Sequence, residues 1–487
     1  MTKIYLPFLL SLLTLQLLAQ PSTFECGTAP GITIDRLKHN IQHISQKKAT
    51  SETQYLPVSM TILSEDNGGG RLSEEDTFDA LCTLNANFEY LGIQFYLSGG
   101  IRYISDSDYY LIWGEESKNL RDLLIPNTLN ILVGEILSTG SGCNGVLGFY
   151  SYDDYVAMDR CVMNKSSHTL THELGHFFSL PHTFFGWEDD SYNSTEPTPT
   201  TTSWGIEVEY ADGRNCAVAA DMICDTPPDY GFSSNVCVYN RTAYDPAGEI
   251  ITPDEKNYMS YFFGCDEFHF SEMQGDVMLS DIDNRNFISE SHNFGHVTET
   301  GTLTAPVNDA IVSPDNVVLT WEPVDNAEQY IVEINRLASF SPILTVERVI
   351  VDTPTFTATE LNPNSSYHWR IKPFSRYSTC VGFSEGQSFK TDNTVDVEYI
   401  EGIESFEVYP NPITGGQKVN LILNTQQSFD ADISLYDVQG KAILEFEERF
   451  NNGSNTVEID TNDIAKGAYI IAIRSESGVL HQRLLIR

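Results

Sequence analysis

Apolar and polar positions are spaced differently in the two halves of this chain. From Tyr55 the run Leu56-Pro57-Val58-Ser59-Met60-Thr61-Ile62-Leu63 is strand-like and closes at Gly68-Gly69-Gly70. Ser73 with Glu74, Glu75 and Asp76 behind it has the composition of a helix start, a capping side chain followed by negative charge. Phe78, Leu81, Leu84 and Phe88 then supply an apolar stripe at helical spacing. Asn130-Ile131-Leu132-Val133 predicts another strand, and residues 189–210, rich in Ser, Thr and Pro, predict a long surface loop. Mixed elements over residues 52–295 therefore predict an α/β (α+β) domain.

After about residue 300 the pattern changes to short β-type runs such as Val317-Val318-Leu319-Thr320-Trp321 and Tyr330-Ile331-Val332-Glu333-Ile334. Turn signals separate them, which predicts a β-sandwich over 301–392. A second small all-β domain is expected over 403–487, from Phe406-Glu407-Val408-Tyr409-Pro410-Asn411-Pro412 to Leu484-Leu485-Ile486-Arg487. The expected molecule is multidomain, a mixed domain followed by two all-β domains.

The chain's amino terminus adds a targeting expectation. Behind Lys3, the mostly apolar stretch from Ile4 to Leu18 leads to Ala19-Gln20, which predicts a signal peptide over 1–20 and an exported protein. No other stretch is long and apolar enough to span a membrane, so no transmembrane segment is expected in the mature chain. Residues 21–51 are polar, mixed in charge, and read as a pro-segment or arm. A formal net charge of −40 over 487 residues argues against nucleic acid and anionic membrane surfaces as partners. Nine Cys in an exported chain imply disulfides with at least one thiol left over. By order and local spacing the expected pairs are Cys143 with Cys161, Cys216 with Cys224, and Cys237 with Cys265. Cys26, Cys82 and Cys380 stay unassigned.

The candidate chemistry sits in His172-Glu173-Leu174-Gly175-His176, with a third histidine at His182. On a helix, His172 and His176 lie on one face and can hold one metal ion together. Three neutral imidazoles suit a tetrahedral Zn²⁺ with one position open for water, whose pKa falls to roughly 7 there. Glu173 is placed to act as general base toward that water. His39 and His43 are also four apart, but they lack an adjacent Glu and stand among lysines. They read as a solvated helix face.

The extended motif resembles the metzincin metalloproteases, and Asn257-Tyr258-Met259-Ser260-Tyr261 resembles their Met-turn. That resemblance implies Met259 as a floor beneath the histidines. It also implies Tyr261 as a residue that ligates the metal or steadies the tetrahedral intermediate. Within the metzincins the likeness is to the pappalysin family, on His172–His182, on Asn215-Cys216 with Asp221, on Cys224-Asp225-Thr226-Pro227-Pro228, and on residues 257–274. It covers about residues 52–290 and implies a secreted zinc endopeptidase acting on proteins or peptides. Asp221 and Asp225 are candidate Ca²⁺ ligands, because they lie in a loop that matches the family pattern and Ca²⁺ prefers oxygen donors. Such loop carboxylates serve equally well in water or in turns. The family has Gly where this chain has Ser179, at the end of the zinc helix. Cys26 lies ahead of this domain, where its thiolate is a candidate to block the zinc; Asp35 is a second candidate, as a carboxylate. Downstream, the Trp321 strand and Leu361-Asn362-Pro363-Asn364-Ser365-Ser366-Tyr367 resemble a fibronectin type III domain. The Tyr-Pro-Asn-Pro start, Gly467-Ala468-Tyr469 and the basic ending resemble the sorting domain of type IX secretion. That likeness implies export through this machinery to the medium or the cell surface.

A competing expectation is a surface binding protein carrying a decayed protease domain. Ser179 is the only residue favouring it, and the intact His172, Glu173, His176 and His182 weigh against it. A zinc amidase acting on cell wall would account for the histidines but not for the Met-turn.

Overall fold

Six strands organise the amino-terminal part of the chain. They are β1 (Phe24–Cys26), β2 (Gln54–Ser64), β3 (Ile93–Ser105), β4 (Leu129–Gly134), β5 (Gly145–Ser151) and β6 (Tyr155–Asp159), in the order β1-β5-β6-β4-β2-β3. This computed structural model describes residues 24–44, 53–112, 119–136, 143, 145–188, 192, 196–234, 236–288, 295–392, 400, 402–414, 416–437, 441–462, 464–475 and 478–487. The expected signal peptide over 1–20 lies outside them. The chain forms two units: residues 1–300 with 324–329 and 372–382, and residues 301–323, 330–371 and 383–487.

In the first unit β2 pairs in parallel with β3 and β4, and β4 with β6, whereas β5 runs antiparallel to β6. From Leu56 to Ser64 strand β2 is buried throughout, as a parallel strand at the centre of a covered sheet should be. Among the described residues five helices accompany the sheet: α1 (Ile34–Gln42), α2 (Glu74–Phe88), the short α3 (Ser107–Tyr110), α4 (Thr169–Phe177) and α5 (Glu272–Asp283). Ser73 caps α2 by accepting from the Asp76 N–H at 3.1 Å, and Phe78, Leu81, Leu84 and Phe88 are its buried stripe. A minimal parallel pair, β7 (Ser233–Ser234) with β8 (Tyr261–Phe262), follows α4 in the chain.

The stretch read as a pro-segment or arm packs on the domain: β1 extends the sheet beside β5, and Leu37 and Asn40 of α1 are buried. Its polar residues hid this because several of them are consumed in buried hydrogen bonds. The loop expected at the surface over 189–210 is mostly exposed among its described residues and turns inward at Val208 and Glu209, which are buried.

In the second unit one pair of sheets spans residues 303–391, five strands in one and three in the other. Trp321, Tyr367, Trp369 and Phe389 are buried there, and the Tyr367 hydroxyl accepts from the Asn362 N–H at 2.8 Å to fix the corner. A second pair, of three and four strands, runs from Ile403 to Ile486 around Leu421, Leu423, Ile433, Leu435, Ile471, Ile473 and Leu484. The three expected disulfides are formed, and a fourth joins Cys82 on α2 to Cys380, 298 residues along the chain. Cys26 is the free cysteine. No helix among the described residues is long and apolar enough to cross a membrane.

Candidate active site

Helix α4 carries the His-Glu-Leu-Gly-His stretch, and every residue from Leu170 to Phe177 is buried. The chain leaves the helix through Ser179, whose φ of 74° is left-handed. The Leu180 N–H then reaches the Gly175 carbonyl, and the Ser179 N–H reaches that of His176, both at 2.9 Å. This is the hydrogen-bond pair of a Schellman termination, with Ser in the place that usually holds Gly. The turn brings the Leu180 carbonyl to 2.8 Å from His176 Nδ1 and returns His182 to the helix. Asn40 of α1 donates to Ser179 Oγ at 2.8 Å, so the strained residue has a buried polar partner.

The three imidazoles converge. His176 Nε2 and His182 Nε2 are 3.1 Å apart, and the His172 and His176 rings meet edge to face at 4.8 Å. One ligand atom from each of His172, His176, His182 and Cys26 lies within 4.8 Å of the others. His172 Nδ1 is held by the Tyr258 carbonyl at 2.6 Å, while its Nε2 is buried with no hydrogen-bond partner. A buried ring nitrogen without a partner, facing two more, is what a bound cation would satisfy. Burial lowers the pKa of His172 to about 4 and those of His176 and His182 well below the usual range, which keeps the rings neutral as ligands. These residues fit Zn²⁺.

Met259 lies directly beneath the helix. A Cβ on Gly175 would come within 2.3 Å of its sulfur, so this contact requires glycine there. Glu173 is fully buried, and burial pushes its carboxyl up to about 8. Glu173 Oε2 accepts from Cys26 Sγ at 3.4 Å and from Thr28 Oγ1 at 3.0 Å. The Cys26 N–H donates to the Tyr261 hydroxyl at 3.0 Å. Burial and the neighbouring Glu173 push the Cys26 thiol well above its usual value.

Other expected residues fall elsewhere. Asp35 is exposed on α1 and takes no part in the cluster. His39 and His43 are exposed, as expected of a solvated pair. Asp225 spends its oxygens on the start of α5, taking Ser271 Oγ at 2.6 Å and the Met273 N–H at 2.8 Å. Asp221 is buried, bonded by Thr226 Oγ1 at 2.9 Å, and burial raises it to about 8. Glu209 rises to about 9, through burial first and then the charge of Asp221. Sequence reasoning missed Thr28, Glu209 and also Glu188, whose carboxylate stands 3.6 Å from His182 Nδ1. None has a motif, because each reaches its partner through the fold.

Residues 138–283 match the family described as pregnancy-associated plasma protein-A, and residues 407–487 match the secretion system C-terminal sorting domain. An extracellular metalloprotease of Arthroderma gypseum is 25% identical over 283 residues, which cover 51% of this chain and 80% of that one. The crystal structure of chicken CNTN1 FN1-FN3 domains is 13% identical, covers 39% of this chain and 70% of its own, and has a TM-score of 0.16. A score that low supports no inference. The chain is a secreted metalloprotease, with a metalloprotease domain that matches the pregnancy-associated plasma protein-A family and a C-terminal domain that matches the secretion sorting domain.

Proposed function

We propose that the chain is a zinc endopeptidase in which Glu173 is the general base and Tyr261 the oxyanion donor. The observation that carries this reading is the convergence of His172, His176 and His182 beside a buried Glu173. His172, His176 and His182 would hold a Zn²⁺ ion, which would supply Lewis acidity toward the scissile carbonyl and a water molecule. Glu173 takes the water's proton and returns it to the leaving amine. The Tyr261 hydroxyl, now occupied by the Cys26 N–H, donates to the oxygen on which charge develops. Strand β5, freed of β1, offers an edge to an extended substrate backbone.

Glu173→Gln should keep one zinc and the fold, while peptide cleavage falls about 10²–10⁴-fold. His176→Ala should lose the metal itself. Metal analysis and cleavage of a broad peptide library separate the two outcomes. Wild type that holds zinc and cleaves nothing, once the amino-terminal segment is removed, would favour the binding-protein alternative.

The same contacts support latency. Cys26 reaches the three histidines, Thr28 holds Glu173, and Cys26 also occupies Tyr261, so residues 24–28 cover every group the reaction uses. Ca²⁺ is a candidate at Asp221, with Glu209 a better partner than Asp225, whose oxygens are taken up at the start of α5. The mature enzyme is taken to begin after residue 51, with domains over 52–295, 301–392 and 403–487.

A further inference from the structure

Beside the histidine cluster lies a cavity of about 370 Å³, within the range that holds a small ligand, about 300–1,000 Å³. His172 and Glu173 form part of its wall, and Cys26 stands at the same wall. A side chain entering it therefore belongs to a residue next to the bond being cut. This placement rests on the peptidase reading above.

Leu147 of β5, Val162, Phe263 and Phe268 make much of the surface apolar. His168 lines it as well, with its ring 4.9 Å from that of Phe268. The Asn87 amide lies 3.1 Å from His168 Nδ1 and donates to it, which leaves the ring neutral with its proton on Nε2. Burial lowers the His168 pKa, in keeping with that neutral ring. Among the described lining residues there is no Lys, Arg or Asp, and Glu173 is the one carboxylate. Asp266 and Glu267 are exposed and stand outside the lining.

We infer that this cavity selects a bulky uncharged side chain, of the leucine, methionine or phenylalanine class, at one of the two positions flanking the cleaved bond, and rejects lysine and arginine there. An apolar guest gains by leaving water. A cationic guest gives up its hydration and meets no carboxylate except the one the reaction needs.

The test uses the zinc-loaded enzyme after a cut between residues 44 and 53 and removal of the amino-terminal segment by dilution, so that β5 is free of β1. With Glu173→Gln added, fluorescence anisotropy measures binding of labelled octapeptides that carry Phe, Leu, Arg, Lys or Asp at each central position. Phe and Leu should bind at least about tenfold more tightly than Arg at one position, the scale on which pockets separate side chains. Equal or tighter binding of Arg, or no binding by any peptide, overturns the inference. With Glu173 restored, cleavage should follow the same order. Binding selectivity without any cleavage would sink the peptidase reading and leave the pocket standing; efficient cleavage that prefers Arg would do the reverse. Ser167 also lines the cavity and accepts from the Thr169 N–H at 3.3 Å, a bond Asp can keep while adding charge. Ser167→Asp should move the preference at least tenfold toward Arg, and an unmoved preference counts against the assignment.

Discussion

Ser179 sits where the backbone favours glycine, and its surroundings have adapted to the difference. A non-glycine residue in the left-handed region costs about 1–2 kcal/mol. The hydrogen bond from Asn40 offsets about 0.5–1.5 kcal/mol of that, while glycine would add its own disorder to the unfolded chain. Ser179→Gly should therefore change stability by less than about 1 kcal/mol in the full chain, and it should stabilise the protein once α1 has been removed. Urea unfolding of both forms checks this, and a loss above about 2 kcal/mol in either would contradict it. At this scale the sequence was legible where partners are near in the chain. His172, Glu173, His176 and His182 fall within eleven residues, and helical geometry alone aligns His172 with His176. Met259 and Tyr261 were legible through the family resemblance. Thr28 and Glu209 were not, since Thr28 meets Glu173 across 145 residues and nothing local marks either one.

Among the elements, α2 and β2 could be read from caps and periodicity, but β1 and α1 could not. A three-residue strand has no period to detect, and Arg36 and Asn40 look like solvent-facing residues until Asp281 is folded against them. This amino-terminal element is where latency can be tested. If Cys26 alone blocked the site, Cys26→Ala would free it; here Thr28 still holds Glu173 and β1 still pairs with β5. Cys26→Ala in the untrimmed chain should raise cleavage only in part. Adding Thr28→Val should raise it about tenfold more, the scale of a neutral hydrogen bond at its upper value of about 1.5 kcal/mol. Equal latency in wild type and both variants would refute the latch.

For the molecule as a whole, an excess of acid defines both its charge and its response to pH. Glu209 and Asp221 titrate near 9 and 8 in the fold, against about 4 in an unfolded chain. Between those values the native state keeps protons that the unfolded state has released, so stability falls as pH rises from about 4 toward 8–9. Ca²⁺ binds ionised carboxylates and should reverse the trend. The Ca²⁺-free Tm should drop by several degrees from about pH 5 to 8, at about 2–4 °C per kcal/mol. Added Ca²⁺ should raise it near pH 8 and hardly at all near pH 5. A Ca²⁺-free Tm that stays flat across this range would remove Glu209 and Asp221 as the cause.

The anchoring of α1 also bears on the timing of activation. Arg36 meets Asp281 at 2.5 Å, Asn40 meets the same carboxylate at 2.7 Å, and Leu37 is wholly buried. A cut between residues 44 and 53 severs the covalent link and leaves all of these contacts in place. What was held at the effective concentration of a short tether, on the order of millimolar, becomes an ordinary complex that dissociates on dilution. Scission and onset of activity are then separate events: a crowded preparation stays quiet after it has been nicked, and dispersal into the surroundings is what releases the enzyme.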